Sequence, residues 1–315
     1  MRAMTARTNG GPEVLREEQV PVPEPGPTEI RVAVHAAGIN PTDWKARASG
    51  GFDQWDDPRI LGFDVSGVVD AVGPGASLYA VGDEVYGMPR FPRQAGAYAE
   101  YVAAPSRHFA PKPASLDHVH AAGLPLVGLT AWQGLVEVAG VTEGQRVLVH
   151  AAAGGLGHIA VQVAKARGAY VLGTASAGKH DLLRDLGVDE PIDYHERPFE
   201  EQVTEPVDVV FDTIGGDYGP RSVKVIRDGG AFVTVVNREG AGPEAADEVA
   251  ARGIKAGWTL VEPDRHGLLH LNELVESGAL RVEIDEVVPL AEAARAHEIG
   301  ERGRTTGKLV LRVRG

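Results

Sequence analysis

The stretch Arg146 to Lys165, RVLVHAAAGGLGHIAVQVAK, holds the residues best suited to bind a charged cofactor. Its small residues read Ala152-x-Gly154-x-x-Gly157, a dinucleotide fingerprint with alanine at the first glycine position. That spacing lets backbone pass close to a pyrophosphate while a helix N-terminus presents unpaired N–H groups and the positive end of its dipole. About twenty positions further on, a carboxylate would hydrogen-bond an adenosine ribose 2′-hydroxyl. The chain instead reads Gly173-Thr174-Ala-Ser176-Ala-Gly-Lys179, and the next carboxylate, Asp181, already lies in the following helix. Ser176 and Lys179 can both donate to a 2′-phosphate, so NADPH is the expected cofactor; the alternative for Lys179 is a solvated lysine at a helix start. A second turn, Asp212-Thr213-Ile214-Gly215-Gly216, follows the apolar run Val209 to Phe211 and falls at the carboxyl end of the same sheet, where open α/β folds bind ligands. Asp212 is there either as a site carboxylate or as a turn cap.

Composition narrows the chemistry. The chain has 315 residues, 43% of them apolar, enough for two domains. Its net charge is −13 and no run of lysine and arginine interrupts it, which argues against nucleic acid or an anionic membrane as partner. There is no cysteine, so disulfides, thiolate nucleophiles and thiolate-held zinc are excluded together. Among the 11 histidines, His118 and His120 flank Val119 and cannot share a helix face, so they read as surface residues. His150, closing the first strand, reads as a core or cofactor-adjacent residue rather than a general base. The apolar stretch Ala121 to Val136 is short of the ~20 residues a membrane span needs and reads as a buried helix with its lead-in loop. The first residues, MRAMTARTNGG, carry no apolar h-region, and the expected location is the cytoplasm.

Two kinds of element must position these residues. Before about Pro113 the pattern is short strands with glycine and proline punctuation, predicting a barrel-like β unit. Strands are expected at Glu29 to Ala36, Val65 to Val72 and Ala97 to Ala103. Helical spacing follows in His118 to Ala122 and Thr130 to Ala139. Strands and helices then alternate: strands at Val147 to Val149, Ala169 to Gly173, Val207 to Phe211, Ala231 to Val236 and Ile254 to Trp258, with helices at Lys179 to Leu186, Arg221 to Ile226 and Leu268 to Val275. Alternation of this kind predicts a doubly wound parallel sheet. A last helix, Leu290 to Ile299, and strand, Lys308 to Val313, are expected to return to the first domain.

These segments together resemble the medium-chain dehydrogenase/reductase superfamily, in its zinc-independent quinone oxidoreductase branch. The resemblance is carried by Gly10-Gly-Pro-Glu-Val-Leu15, Pro25-Gly-Pro-Thr-Glu-Ile30, Ala36-Ala-Gly-Ile-Asn40-Pro-Thr-Asp43, Gly62-Phe-Asp64-Val-Ser-Gly67, Val81-Gly-Asp83, Leu124 to Trp132, Ala151 to Gly157 and Thr306-Gly-Lys308-Leu-Val. It implies an α/β protein: a GroES-like β-barrel catalytic domain of residues 1–117 and 283–315, and a Rossmann NADPH-binding domain of residues 118–282. Zinc-dependent relatives have a cysteine and a Gly-His-Glu segment where this chain has Asn40 and Gly62-Phe63-Asp64, so no metal is expected. The implied reaction is hydride transfer from NADPH to a quinone or α,β-unsaturated carbonyl. The alternatives are an enoyl reductase of a secondary-metabolite pathway and a non-catalytic NADPH-binding structural or sensor protein.

The resemblance also implies roles for particular residues. Developing oxyanion charge must meet a donor, and Asn40 is the first candidate, with the turn residue before proline as its alternative. Thr130 is the second, beside the nicotinamide or as a helix N-cap. Asp43 caps the following helix, and Lys45 contacts either substrate or solvent. Relatives often use a tyrosine from the next loop. Here that loop reads Ala48 to Trp55 with Phe52 and no tyrosine, leaving solvent to deliver the proton. Cofactor contacts are expected from Asn40, Thr130, Ala153, Gly154, Gly155, Leu156, Gly157, Thr174, Ser176, Lys179, Tyr194, Thr213, Ile214, Val236 and Asn237. Lys308, with Arg302 and Arg304, either approaches the cofactor or is solvated. The expected partners are a small-molecule substrate and a second copy of the chain, joined through the last Rossmann strands at Ile254 to Trp258.

Overall fold

The computed structural model describes residues 1–50 and 57–314. Two compact units are present, one of Met1–Leu129 with Glu262–Gly315 and one of Thr130–Val261. In chain order the first unit opens with β1 (Arg2–Ala6), β2 (Arg16–Gln19), β3 (Glu29–Ile39), α1 (Pro41–Ser49), β4 (Arg59–Ile60), β5 (Val65–Val72), β6 (Glu84–Gly87), β7 (Tyr101–Pro105), β8 (Phe109–Pro111) and α2 (His118–Ala122). The unit boundary falls inside α3 (Pro125–Trp132). The second unit contains β9 (Arg146–Val149), α4 (Gly157–Ala166), β10 (Tyr170–Ala175), α5 (His180–Asp185), β11 (Glu190–Asp193), α6 (Phe199–Gln202), β12 (Val207–Asp212), α7 (Tyr218–Val223), β13 (Ile226–Thr234), α8 (Ala246–Ala251) and β14 (Lys255–Trp258). The chain then returns to the first unit with α9 (Arg265–Glu276), β15 (Ile284–Pro289), α10 (Ala293–Glu301) and β16 (Lys308–Arg312).

The organising strand of the first unit is β3. Its Ile30, Val32 and Val34 are fully buried, as period-two alternation dictates, while Arg31 points away and meets Asp70 of β5 at 2.9 Å. The long sheet runs β15-β16-β3-β5-β6-β8 with β7 also on β3, and a smaller sheet runs β2-β1-β4. β3 is bonded antiparallel to β16, so Leu309 lies opposite Ile39 and the C-terminal strand delivers Lys308 beside the end of β3. The strand expected from Ala97 begins only at Tyr101. Ala97 and Tyr98 bond instead to Gly62 and Leu61, and Tyr98 accepts from Met4, so this stretch bridges segments rather than lying in one ladder.

In the second unit all strands are parallel, in the order β11-β10-β9-β12-β13-β14. The sheet reverses direction of winding between β9 and β12, the position at which doubly wound folds bind ligands. Phe211 and Phe232 from β12 and β13 are fully buried. The expected helix Arg221 to Ile226 is shorter and earlier: α7 ends at Val223 and Ile226 starts β13. The Gly229-Gly230 pair is inside that strand, with Gly229 at φ 72° and no room for a Cβ at Gly230, 2.7 Å from the Asp208 carbonyl oxygen. The helical pattern from Thr130 is the end of α3 continued by a π-helical stretch, Gln133–Val138. No helix among the described residues is long and apolar enough to cross a membrane.

Candidate active site

The second unit contains a glycine turn after β9. After β9, Ala151 adopts a left-handed φ of 49°, and the chain folds back so that the Gly154 N–H donates to the Ala151 carbonyl at 2.9 Å. The Ala151 N–H donates to Thr174 Oγ1 at 3.0 Å and the Ala152 N–H to the Thr174 carbonyl at 2.9 Å, which ties the turn to β10. A Cβ on Gly157 would lie 2.1 Å from the Ala151 oxygen and 2.7 Å from Ala152 Cα, so only glycine allows α4 to start this close to β9. A Cβ on Gly154 would meet only the Ala151 oxygen, at 3.2 Å, leaving its other side open to a phosphate. Ala153 is buried and Gly155 and Leu156 half-buried beside this opening. The residues present therefore fit a dinucleotide.

Neighbouring strand ends supply the rest of the expected set. Ser176 precedes a 3-10 turn, Ala177–Lys179, and accepts from the Lys179 N–H at 2.9 Å. Asp181, the nearest carboxylate, is exposed and bound to Arg184 at 2.9 Å, one turn along the helix. Tyr194 is 41% exposed and packs on His195, ring centroids 4.2 Å apart. Thr174 is fully buried, its hydroxyl used by the turn. Asp212 proves to be a turn carboxylate: Oδ1 accepts from the Ile214 and Gly215 N–H groups at 2.9 and 3.0 Å, and Oδ2 from Thr234 at 3.0 Å. Thr213 Oγ1 donates to the His150 carbonyl at 2.9 Å, while Ile214 and Val236 are exposed. Asn237 closes its own loop, Nδ2 donating to the Gly240 carbonyl at 3.1 Å. Thr130 is buried within α3 and so is not an N-cap.

The first unit contributes a buried polar network. Asn40 ends β3 and precedes α1. Its Nδ2 donates to Asp64 Oδ2 at 2.8 Å and its Oδ1 accepts from the Lys308 ammonium at 2.5 Å. Lys308 also donates to the Ile39 carbonyl at 2.7 Å and lies 3.8 Å from Asp64. It is 2% exposed and thus not the solvated lysine that its alternative reading predicts. Asp64 Oδ1 accepts from the Leu126 N–H at 2.7 Å. Burial pushes Asp64 upward and Lys308 downward from their ordinary pKa values, while each one's charge opposes the shift of the other.

Asp43 caps α1, accepting from the Asn40 backbone N–H at 2.7 Å. The same Oδ2 accepts from the Tyr98 hydroxyl at 3.0 Å, and buried Oδ1 has no partner. Burial, above all, raises the Asp43 carboxyl to about 7. Arg47, one turn along α1, donates to His297 Nδ1 at 3.0 Å and to Glu301 at 2.5 Å. Because a guanidinium only donates, the His297 proton must be on Nε2, which faces the Tyr98 oxygen at 3.1 Å. Burial holds His297 down at about 3, so the ring is neutral. Tyr98, Arg47 and His297 were not among the expected site residues. A usable signal exists in the i, i+4 spacing of Asp43 with Arg47 on α1 and of His297 with Glu301 on α10. Lys45 is exposed on α1, and Phe52 to Trp55, expected to lack a proton donor, lie outside the described residues.

The histidines divide differently from the sequence expectation. His120 is a surface residue on Asp117, but His118 is half-buried, stacked on His35 with centroids 4.3 Å apart and bonded to Ser66 at 2.8 Å. His150 is a core residue: fully buried, 2.9 Å from the Ser222 hydroxyl, edge-on to Phe199 and Tyr218, and held at about 3 chiefly by burial. Among the described residues no group of three or more histidine, aspartate or glutamate side chains could hold a metal ion. At Asn40 and Asp64 the place next to the carboxylate is taken by the Lys308 ammonium, and a zinc ion does not fit.

Comparison with known proteins adds the following. Residues 26–114 match the alcohol dehydrogenase GroES-like domain, and residues 186–311 match the family described as zinc-binding dehydrogenase. The 2-methylene-furan-3-one reductase of Solanum lycopersicum is 36% identical over 99% of this chain and 79% of its own length. The chloroplastic NADPH-dependent alkenal/one oxidoreductase of Arabidopsis thaliana has the same identity and coverage. Among solved structures, the quinone oxidoreductase from Coxiella burnetii is similar with a TM-score of 0.92 and 37% identity, covering 100% of this chain and 99% of that one. The Escherichia coli quinone oxidoreductase complexed with NADPH gives 0.88 and 30%, over 99% and 100%.

Proposed function

This chain belongs to the zinc-independent, quinone oxidoreductase-like branch of the medium-chain dehydrogenase/reductases, and from that premise we propose that it reduces a quinone or an α,β-unsaturated carbonyl with NADPH. The family is one of NAD(P)H oxidoreductases acting on small molecules; the choice of NADPH over NADH is our reading. It is supported by Ser176 and Lys179 just after β10 and by the nearest carboxylate, Asp181, being engaged by Arg184. When bound, the cofactor supplies the hydride, which goes to the β-carbon of an enone or to a quinone. The protein's task is to orient the acceptor and to meet the negative charge that grows on its oxygen.

The observation that carries the reading is the cradle formed by Ala151, Gly154 and Gly157 at the switch point of the sheet, where a Cβ at Gly157 would strike backbone. We assign Ala153, Gly154, Gly155, Leu156 and Gly157 to the pyrophosphate, Ser176, Lys179 and Tyr194 to the adenosine end, and Thr213, Ile214, Val236 and Asn237 to the nicotinamide side. The oxyanion donor is assigned to Asn40, whose second Nδ2 hydrogen has no acceptor among the described residues. Asn40 has no exposed surface, so the acceptor must part the groups that cover it. Thr130 is assigned beside the nicotinamide and Lys45 to the acceptor's outer end. Residues 1–117 and 283–315 form the catalytic domain in this reading, and 118–282 the cofactor domain. The setting is the cytoplasm.

Steady-state NADPH oxidation with a panel of quinones, enones and enoyl thioesters tests this. Turnover with quinones or enones is expected; turnover confined to enoyl thioesters favours a pathway enoyl reductase, and none at all despite cofactor binding overturns the enzyme. Lys179→Ala should raise KM for NADPH and leave that for NADH unchanged. We further propose a homodimer through β14, an edge strand whose outer side is open to pairing; sedimentation as a monomer contradicts it.

A further inference from the structure

We propose that Lys308 is the positioning residue for Asn40, holding the amide oxygen so that the remaining Nδ2 hydrogen is presented to the acceptor in one orientation. The proposal rests on the reading of Asn40 as the oxyanion donor.

A primary amide can flip, exchanging its oxygen and nitrogen, and at most surface sites the two orientations are similar in energy. At Asn40 they are not. Oδ1 faces the Lys308 ammonium at 2.5 Å, and Nδ2 faces the Asp64 carboxylate at 2.8 Å. A flip would set an NH₂ group against the ammonium and the amide oxygen against the carboxylate, two repulsive contacts in a site with no exposed surface. The clamp is itself held. Lys308 donates to the Ile39 carbonyl, Asp64 accepts from the Leu126 N–H, and the Asn40 backbone N–H is engaged by Asp43. Each clamping group thus has a second partner that fixes its own position.

The ammonium does more than select an orientation. A cation on an amide oxygen withdraws charge from the nitrogen, and successive hydrogen bonds polarise one another in a low dielectric. The unpaired Nδ2 hydrogen becomes a stronger donor, and its strength matters most when charge is growing on the acceptor. Lys308 therefore acts on the reaction without touching either reactant. Its register opposite the end of β3, set by the antiparallel pairing of Leu309 with Ile39, makes this a property of the sheet rather than of a flexible side chain.

The experiment combines kinetics of Lys308→Met, Lys308→Gln, Lys308→Arg, Asn40→Ala and Asn40→Ala/Lys308→Met with the Asn40 side-chain amide signal in ¹H–¹⁵N spectra. Lys308→Met should lower kcat about 10- to 100-fold, in the range of a lost or misplaced oxyanion donor, with KM for NADPH unchanged within about twofold. Lys308→Gln can still donate but carries no charge, so it should recover the orientation and little of the rate, whereas Lys308→Arg should recover part of the rate. In the Asn40→Ala background, Lys308→Met should add less than about a twofold loss, since a residue acting through another has no effect once that residue is gone. Hydrogen exchange of the Asn40 amide should quicken at least about tenfold in Lys308→Met. Unchanged kcat, multiplying losses in the double variant, or a loss confined to KM for NADPH overturns the proposal. If Asn40→Ala keeps wild-type kcat, the donor reading fails; unchanged amide exchange in Lys308→Met then separately overturns the positioning. Should Lys308→Met not fold, the comparison of Gln with Arg decides the same point, equal rates overturning it.

Discussion

Asp43→Asn should remove one identifiable component from the dependence of stability on pH. In the folded chain the carboxyl is raised from 3.8 to about 7, mainly because its charge would be buried, with nearby Asp64 adding to the shift and the Asn40 N–H opposing it. Between those two values the folded protein keeps a proton that the unfolded chain has lost. The stability this contributes is complete below pH 4 or so, declines as pH rises through 7, and is gone above it. At pH 5 roughly 3 kcal/mol of it remains and at pH 8 almost none, so this carboxyl alone lowers stability by roughly 2–3 kcal/mol across that interval. Asparagine does not titrate. Its amide oxygen can take over from Oδ2, accepting from the Asn40 N–H and the Tyr98 hydroxyl, but its NH₂ then occupies the unpartnered place of Oδ1. That costs about 1–3 kcal/mol at every pH. The variant should therefore be the less stable protein at pH 5, and the gap should close by roughly 2–3 kcal/mol, or reverse, by pH 8. Urea unfolding at constant ionic strength, followed by tryptophan fluorescence, measures both curves; Trp44 on α1, edge-on to His297 at 6.1 Å, reports on this unit. A difference between the two proteins that stays constant within about 0.5 kcal/mol from pH 5 to pH 8 would refute the reasoning.

Two other outcomes follow from single contacts. Gly157→Ala drives a Cβ into three backbone atoms and should destabilise the protein by about 1–3 kcal/mol and raise KM for the cofactor, whereas Gly154→Ala, with 3.2 Å to its nearest atom, should unfold close to the wild type while also weakening cofactor binding. Thermal melts of the pair distinguish them, and equal melting temperatures would contradict the geometry. His150 is held neutral at about 3, so its contribution to stability is present above its unfolded value of 6.5 and is lost as pH falls toward 3. His150→Phe leaves the Ser222 hydroxyl unpaired and should cost about 1–3 kcal/mol at pH 7, with the deficit shrinking as pH falls below 6.5; acid titration of both proteins by circular dichroism checks it, and a deficit independent of pH would count against a buried neutral ring.

The second unit was the more legible from residue order. Alternating apolar runs and helical stretches define a parallel sheet, and Ala152-x-Gly154-x-x-Gly157 places its ligand edge, because strand period and turn chemistry are local properties. Element ends were less so: Ile226 belongs to a strand that continues through Gly229 at a positive φ and Gly230 in close backbone approach, where residue order suggests the end of a helix. In the first unit the individual strands were readable and the buried network was not. Its members, Asn40, Asp43, Arg47, Asp64, Tyr98, His297 and Lys308, come from six segments, and beyond the i, i+4 spacing of Asp43 with Arg47 no periodicity links them. Lys308 and His118 illustrate the limit. Each is a polar residue whose type suggests solvent, and each is enclosed by contacts with strands distant along the chain. Asp212 shows the converse, a carboxylate placed where chemistry is expected but used up by its own turn.

The antiparallel pairing of β16 with β3 also sets an order of events during synthesis. Asn40, Asp43, Arg47, Asp64 and Tyr98 leave the ribosome early, while His297, Glu301 and Lys308 emerge only after the whole of Thr130–Val261 has been made. The nucleotide-binding unit is contiguous and can close on its own contacts first. The other unit is completed only when Lys308 arrives, and until then two acidic side chains lack the cation that accompanies them in the finished protein, which favours their staying hydrated. Burial of the site is thereby coupled to arrival of the last strand, so that a nascent chain cut short before Lys308 could assemble the cofactor cradle without the residue proposed to orient the donor.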